Sequence, residues 1–257
     1  MTTASPSRVA AVIPALNEEA SVGLVLGELP RSLVERAVVC DNGSTDGTAR
    51  AALAAGAIVV EEPRRGYGAA CLRALSFLAS DPPEIVLFLD ADRSDDASEA
   101  GALLAPILED RADFVVGSRS LGDAEPGSLT PAQRFGNRLA ASLLRLLYGV
   151  RATDLGPFRA IRWDALRALD MRDRDFGWTI EMQVKAARRG LRTVEVPVRY
   201  RKRIGRSKIS GTIRGTILAG SKILGTIAAD YLRHGPPRAR GEFRGPKAPG
   251  SSAGGTS

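Results

Sequence analysis

The chain has 257 residues, of which 44% are hydrophobic and 25% are charged, so it can form one large α/β domain with a substantial core. Its single histidine, His234, excludes a Ser-His-Asp triad, a Cys-His pair and a histidine-ligated metal built within the chain, so any metal must be held by oxygen. The net charge is +7, and residues 198–208 alone hold six basic residues and no acid. This run is typical of a solvated face or of a phosphate clamp, and since no nucleic-acid-binding motif accompanies it, we expect no nucleic-acid partner.

Strand and helix patterns then alternate along the chain, which favours a mostly parallel central sheet flanked by helices. The strands are predicted at residues 8–15, 35–44, 57–62, 84–92, 112–119 and 192–201. The helices are predicted at residues 17–29, 45–56, 66–79, 131–148 and 176–190. The strands have continuous apolar runs, as strands buried on both faces do. The Gly- and Pro-rich connection at residues 120–131 is predicted to be a mobile loop.

Three features indicate where the protein resides. Cys40 and Cys71 lie in apolar segments without a ligand pattern, as reduced core cysteines of a cytoplasmic protein do. The chain starts without the charged and apolar pattern of a signal peptide. No uncharged apolar run approaches the roughly 18 residues that cross a bilayer. We expect a cytoplasmic protein that is, at most, peripheral on the inner face of the membrane.

Residues 209–233 are predicted to be an amphipathic helical segment, and the Gly-, Pro- and Ser-rich residues 234–257 a disordered tail. One face of the helix carries Ile209, Ile213, Ile217, Leu224, Ile227 and Tyr231. Two interpretations remain open: this stripe docks on its own protein, or it rests on an anionic membrane.

Two aspartates, Asp90 and Asp92, follow an apolar strand with only Ala91 between them. In a strand they would point to the same side, towards the crevice where parallel α/β sheets bind ligands. Acids this close raise each other's pKa unless a cation is present, and acids without histidine favour Mg²⁺ or Mn²⁺. The alternative is a surface turn in which Asp95 or Asp96 caps a helix.

Another carboxylate, Asp41, ends the second predicted strand in "VVCDNGSTDGT". Together with "VIPALNEE", "FLDAD", "GSR", "TDLGPFRAI" and "VEVPVRYRKRIGRSKIS", this motif resembles the inverting GT-A-fold glycosyltransferases of family 2, and most of all the dolichyl- and polyprenyl-phosphate hexosyltransferases. The resemblance spans about residues 8–215. It implies a GT-A catalytic domain at residues 1–208, Mg²⁺ or Mn²⁺, a UDP- or GDP-linked sugar and a polyprenyl phosphate acceptor.

The resemblance also implies roles for particular residues. Those expected at the nucleotide and sugar of the donor are Pro14, Ala15, Asn17, Glu18, Asp41, Asp90 and Ala91. The expected metal-site residues are Asp92 and Ser94, the latter where relatives often have Gln. Those expected at the phosphates are Arg119, Lys202, Arg203 and Lys208. Guanidinium groups suit phosphate oxygens because they bond bidentately.

The expected reaction is transfer of a hexose with inversion at the anomeric carbon. An ionised lipid phosphate needs no general base, whereas a hydroxyl acceptor does. Glu181 and Asp154 are the candidates for that base, and either can equally be structural. The alternatives are a soluble or saccharide acceptor, a sugar nucleotidyltransferase, or a non-catalytic nucleotide or lipid binder. The loop "IPALNEE" lacks the Gly-rich, basic pattern that nucleotidyltransferases usually show there.

Overall fold

The computed structural model describes residues 8–150, 152–205 and 213–236. The strands are β1 (Val9–Ala15), β2 (Arg36–Asp41), β3 (Ile58–Glu61), β4 (Ile85–Phe88), β5 (Phe114–Ser118), β6 (Arg159–Arg162) and β7 (Thr193–Pro197). The helices are α1 (Val22–Glu28), α2 (Thr48–Ala54), α3 (Tyr67–Leu78), α4 (Ala100–Leu108), α5 (Pro131–Tyr148), α6 (Trp163–Leu169), α7 (Trp178–Arg188) and α8 (Ile213–His234). The strands form one seven-stranded sheet in the order β3-β2-β1-β4-β6-β5-β7.

The sheet is mostly parallel, as predicted. Of the strands in the described residues, only β6 runs against its neighbours β4 and β5, whereas β7 is parallel to β5. The carboxyl ends of the other strands therefore lie along one edge. The strand order reverses between β1 and β4, and α/β sheets bind ligands in the crevice at such a point.

Two apolar layers cover the two faces of the sheet. Residues of β1 alternate between them: Val9, Ala11 and Ile13 face the layer of α1 and α4, and Ala10 and Val12 face the layer of α3, α6 and α7. This period of two is the geometry of a strand buried on both sides. The cysteines are both buried and free, as their apolar surroundings predicted.

Helix α8 docks on α5 and α7, which favours the first of the two interpretations of its stripe. Ile227 is buried there, and the Tyr148 hydroxyl of α5 donates to Asp230 Oδ2 at 2.7 Å. Leu224, predicted on the same stripe, is exposed, and Ile209 lies outside the described residues. Helix α8 ends at His234, where the predicted tail begins, and residues 237–257 of that tail lie outside the described part. Among the described residues, no helix is long and apolar enough to cross a membrane.

Three elements are absent from the sequence prediction: α4, β6 and α6. Strand β6 is short, and its first residue is a fully buried arginine, Arg159. The Arg159 side chain donates to the carbonyl groups of Leu155, Gly156 and Thr179. Arginine is almost never fully buried unless it is paired, so nothing in "RAIR" indicates a central strand.

We expect Phe88→Ala to lower the free energy of unfolding by about 3–5 kcal/mol, because it leaves a cavity in a central strand. The Phe88 side chain is fully buried and meets Trp178 edge to face, with ring centroids 6.1 Å apart. Urea unfolding measures the loss. The control is Leu53→Ala on the surface of α2, where a change within about 0.5 kcal/mol is expected. A Phe88→Ala protein with wild-type stability would contradict the packing of β4.

Candidate active site

The carboxyl ends of the strands open into a cavity of about 850 Å³. The loops that follow β1 and β4, the neighbours at the strand-order reversal, both contribute to its lining. Predicted site residues that line it are Pro14, Ala15, Glu18, Asp90, Ala91, Asp92, Arg119, Lys202 and Arg203. Residues from four separate motifs thus meet at one place, which is the arrangement that a binding site requires.

The acids after β4 lie in a loop, the acid loop (residues 90–96), and this corrects the prediction that they belong to the strand. The strand β4 ends at Phe88. Arg93 has φ 64°, so the chain turns sharply after Asp92. The Ser94 amide donates to Asp92 Oδ1 at 2.9 Å, which fixes the carboxylate.

Buried acids in this loop repel one another. Burial, together with the charges of Asp92 and Asp95, raises the pKa of Asp90 well above its usual value. Burial and the Asp92 charge likewise raise the pKa of Asp95. In the part of the chain that the structure describes, Oδ1 of Asp90 and Oδ1 of Asp95 have no hydrogen-bond partner. Asp96 instead accepts from the Ser98 amide, so the capping role predicted for Asp95 or Asp96 is confirmed for Asp96.

Arg203 is the basic residue that pairs with Asp92 among the residues that the structure describes. Its Nη2 atom lies 3.2 Å from Asp92 Oδ2 and also donates to Glu18 Oε1 at 3.0 Å. One guanidinium group therefore links the loop after β1 to the acid loop. Since Arg203 lines the cavity, its charge also faces the space where a ligand would bind.

The chain after β7, residues 198–204, forms a basic segment between two loops. Its Arg201 and Ile204 amides donate to carbonyl groups of the acid loop at 2.8 and 3.0 Å. On the other side, the Tyr200 amide donates to the 120–131 connection and the Tyr200 carbonyl accepts from it, at 2.9 and 2.8 Å. The connection predicted to be a mobile loop is therefore bound to this segment.

The basic charges of this segment have different partners. Arg199 and Arg201 form ion pairs with Asp96, at 3.2 and 2.6 Å, behind the cavity lining. Lys202 lines the cavity; its amide donates to Glu125 Oε2 at 2.9 Å, and its side chain forms no ion pair with the residues that the structure describes. Lys208 lies outside those residues. Part of the basic run thus stabilises the acid loop, and part of it faces the cavity.

Arg119 and Asp154 form a buried bidentate ion pair. The Arg119 Nε and Nη2 atoms donate to Asp154 Oδ2 and Oδ1 at 2.8 and 2.6 Å, and the Arg119 amide donates at 2.7 Å. Burial alone would raise the pKa of Asp154, but the hydrogen bonds and charge of Arg119 outweigh it and lower the pKa. The guanidinium carbon also lies 4.9 Å from the ring centroid of Tyr200. Asp154 therefore holds Arg119 at the cavity and does not line the cavity itself.

Two residues predicted at the nucleotide, Asn17 and Asp41, connect loops beside the cavity. The Asn17 amide donates to the Ser44 hydroxyl at 2.9 Å, and the Ser44 amide donates to Asp41 Oδ1 at 2.8 Å. Their neighbour Asn42 lines the cavity. The Asn42 side chain binds backbone groups of residues 62–66 and so fixes a further wall.

Glu181 lies outside this cavity, in a separate hollow of about 380 Å³. Its carboxylate accepts from the Arg172 amide at 3.0 Å and pairs with Lys185 at 2.7 Å. A structural role therefore fits Glu181 better than the role of general base. Ser94 also lies behind the lining, where its amide orients Asp92.

Several lining residues escaped the sequence analysis, among them Tyr67, Gln133, Phe176 and Tyr200. The aromatic ring of Tyr200 inside a basic run was a usable signal, because aromatic faces attract arginine. Gln133 and Phe176 lie outside every motif, so no local pattern marks them.

The acid loop offers only oxygen ligands. In the described ranges, no group of three or more His, Cys, Asp or Glu side chains is placed to hold a metal ion by itself. A hard cation bound by one or two carboxylates completes its shell with water and substrate phosphates. The Asp92 carboxylate and the unpartnered oxygens near it fit such a cation.

Comparison with known proteins agrees with this architecture. Residues 10–170 match the family described as glycosyl transferase family 2. An uncharacterised glycosyltransferase of Mycobacterium tuberculosis is 41% identical over 213 residues, covering 82% of this chain and 94% of the relative. The dolichyl-phosphate hexose transferase of Haloferax volcanii is 32% identical over 227 residues, covering 88% and 96%.

Solved structures show the same fold. Glucosyl-3-phosphoglycerate synthase from Mycobacterium tuberculosis, in complex with Mn²⁺, UDP-glucose and glycerol 3-phosphate, aligns with a TM-score of 0.65 and 25% identity. The alignment covers 91% of this chain and 82% of that one. The chain has the GT-A fold and is a glycosyltransferase that belongs to glycosyl transferase family 2.

Proposed function

We propose that the protein transfers a hexose, with inversion, from a nucleotide-diphosphate sugar to polyprenyl phosphate. One observation carries the proposal: a single cavity places the carboxylate of Asp92 beside the cationic groups of Arg119, Lys202 and Arg203. A donor diphosphate with its metal ion and an acceptor phosphate need this combination of charges. The relative named dolichyl-phosphate hexose transferase supports the choice of acceptor.

Asp92 is the residue that would hold Mg²⁺ or Mn²⁺, with Ser94 orienting it. The bound cation would neutralise negative charge on the departing nucleotide diphosphate. The structural relative that was crystallised with Mn²⁺ and UDP-glucose supports this ligand class. Because Arg203 pairs with both Glu18 and Asp92, it ties the loop after β1, where the nucleotide is expected, to the acid loop.

The surroundings of the two candidate bases support a phosphate acceptor. Asp154 is ionised, but both of its carboxylate oxygens accept hydrogen bonds from Arg119, and Glu181 lies in the other hollow. Neither is placed to take a proton from a hydroxyl acceptor. A phosphate acceptor is already ionised and needs no such base, so the arrangement favours a lipid phosphate. A soluble acceptor remains the second candidate, because the structural relative was crystallised with glycerol 3-phosphate.

The test is incubation with labelled UDP- and GDP-sugars and Mn²⁺, with either polyprenyl phosphate in detergent or glycerol 3-phosphate as acceptor. We expect label in the organic phase with the lipid acceptor only. Label that stays in a water-soluble product would assign the second candidate. Release of pyrophosphate, or donor binding without any product, would contradict both.

We expect Asp92→Asn to lower the transfer rate by about 100-fold or more, because an amide lacks the charge that a metal-diphosphate group requires. The labelled-sugar assay measures the rate. The matched control is Asp164→Asn, an exposed acid in the first turn of α6, for which wild-type activity is expected. Full activity of Asp92→Asn would rule out the role proposed for this carboxylate.

The Arg119–Asp154 pair gives a second prediction, which separates structure from function. Asp154→Asn leaves a buried guanidinium without its counter-charge and should cost about 3–5 kcal/mol of unfolding free energy. The double variant Arg119→Gln/Asp154→Asn should regain most of that stability. The double variant should not regain sugar transfer, because it lacks the positive charge of Arg119 that faces the cavity. Urea unfolding and the labelled-sugar assay, run on the same preparations, measure both quantities.

If the double variant transfers sugar at the wild-type rate, the pair is only structural and Arg119 has no role at the phosphates. The conservative variant Arg119→Lys keeps the charge but loses the bidentate geometry. Its rate should lie between those of the wild type and the double variant.

A further inference from the structure

The outer face of α5 carries two parallel stripes of exposed side chains. At 3.6 residues per turn, Phe135, Leu139 and Leu146 fall within about 40° of one another. A second stripe lies about a quarter turn to one side. It consists of Arg134, Arg138 and Arg145. These six side chains are all exposed, and we call them the α5 outer face.

This face is apolar and positive at once. Phe135 is 70% exposed and Leu146 is 78% exposed, which is unusual for large apolar side chains on one helix stripe. The helix contains no acidic residue. The three arginines have no acidic partner among the residues that the structure describes, so their charge is directed to whatever covers the face.

The opposite side of α5 is firmly attached to the protein. Ala140, Leu144 and Tyr148 are buried against α7 and α8. The helix begins with a capping box at Thr130 and ends at Gly149 in the left-handed region. The α5 outer face is therefore a fixed surface of the folded domain.

The first turn of α5 borders the candidate active site. Thr130 and Gln133 line the cavity, and Phe135 follows on the exposed side of the same helix. The cavity is also lined by Phe176, which is itself 39% exposed. A surface in contact with the α5 outer face would thus lie beside the cavity.

We infer that the α5 outer face docks the protein on a bilayer of anionic phospholipid. The apolar stripe would enter the interface between headgroups and acyl chains, and the arginines beside it would reach the lipid phosphates. Each basic residue near an anionic membrane adds to the attraction, and nothing acidic on this helix opposes it. The inference rests on the proposed function, since a lipid phosphate acceptor would then lie in the plane of the bilayer beside the cavity.

The experiment is flotation of the full chain with vesicles of equal parts phosphatidylglycerol and phosphatidylcholine, and with phosphatidylcholine vesicles alone. We expect binding to the anionic vesicles only, and weaker binding as salt is raised. Phe135→Ser/Leu146→Ser and Arg134→Gln/Arg138→Gln/Arg145→Gln should each lower the bound fraction about tenfold. Circular dichroism and urea unfolding check that these surface variants are folded.

Matched control variants remove an exposed leucine or an exposed arginine from helices other than α5. Leu53→Ser changes a side chain that is 59% exposed on α2, which packs on α1, β2 and β3. Arg167→Gln removes an exposed arginine of α6. Both should bind vesicles like the wild type. Equal vesicle binding by the wild type and the α5 variants would overturn the inference. A dimer that the same α5 substitutions dissociate would also overturn it, because a second copy of the chain would then cover the face.

The labelled-sugar assay with a short, water-soluble polyprenyl phosphate keeps this inference separate from the proposed function. None of the substituted residues lines the cavity, so the α5 variants should transfer sugar to that acceptor at the wild-type rate. If the α5 variants transfer sugar normally and also bind vesicles like the wild type, the docking surface is refuted and the proposed function is not. If the wild type binds anionic vesicles, the α5 variants do not, and the wild type transfers no sugar, the docking surface is supported and the proposed function is refuted.

Discussion

The structure of the site depends on one electrostatic constraint: carboxylates placed close together at the end of a buried strand must be balanced by positive charge. The acid loop begins where β4 leaves the core, so its aspartates lose much of their hydration and repel one another. The basic segment after β7 supplies the balance, because Arg199 and Arg201 neutralise Asp96 and Arg203 neutralises Asp92. Buried charges are tolerated only when they are paired in this way. The two segments therefore position each other, although they are far apart in the sequence.

This mutual positioning brings together groups that suit a metal ion and a diphosphate. The segment that stabilises the acids also carries Lys202 and Arg203 to the cavity, so groups for a cation and groups for phosphates come from one arrangement. Arg119 is positioned separately, by the buried carboxylate of Asp154 and by the ring of Tyr200. Side chains fixed before a ligand arrives lose less entropy on binding and are better aligned for the transition state.

The two amphipathic helices of the chain illustrate how packing decides which apolar stripe meets solvent. The stripe of α8 is evident in the sequence, but Ile227 is buried and Tyr231 packs against Tyr148. Helix α5 uses small and aromatic residues such as Ala140 and Tyr148 for its inner contacts, which leaves Phe135 and Leu146 outside. Sequence periodicity identifies a helix with two faces, but the neighbours in the fold determine which face is covered.

The sequence by itself determined the parallel α/β fold, the acid motif at the end of a strand and the family, because apolar periodicity and short turn motifs are local properties. Residues such as Pro14, Asp90, Asp92, Arg119 and Arg203 could be assigned to one site because each lies in such a motif. Only the tertiary structure decided that Asp154 serves Arg119, that Glu181 lies in another hollow, and that Gln133 and Phe176 reach the cavity. It also decided that β6, with the buried Arg159, completes the sheet. These outcomes depend on ion pairs, hydrogen bonds and burial between distant segments, which no local pattern of residues encodes.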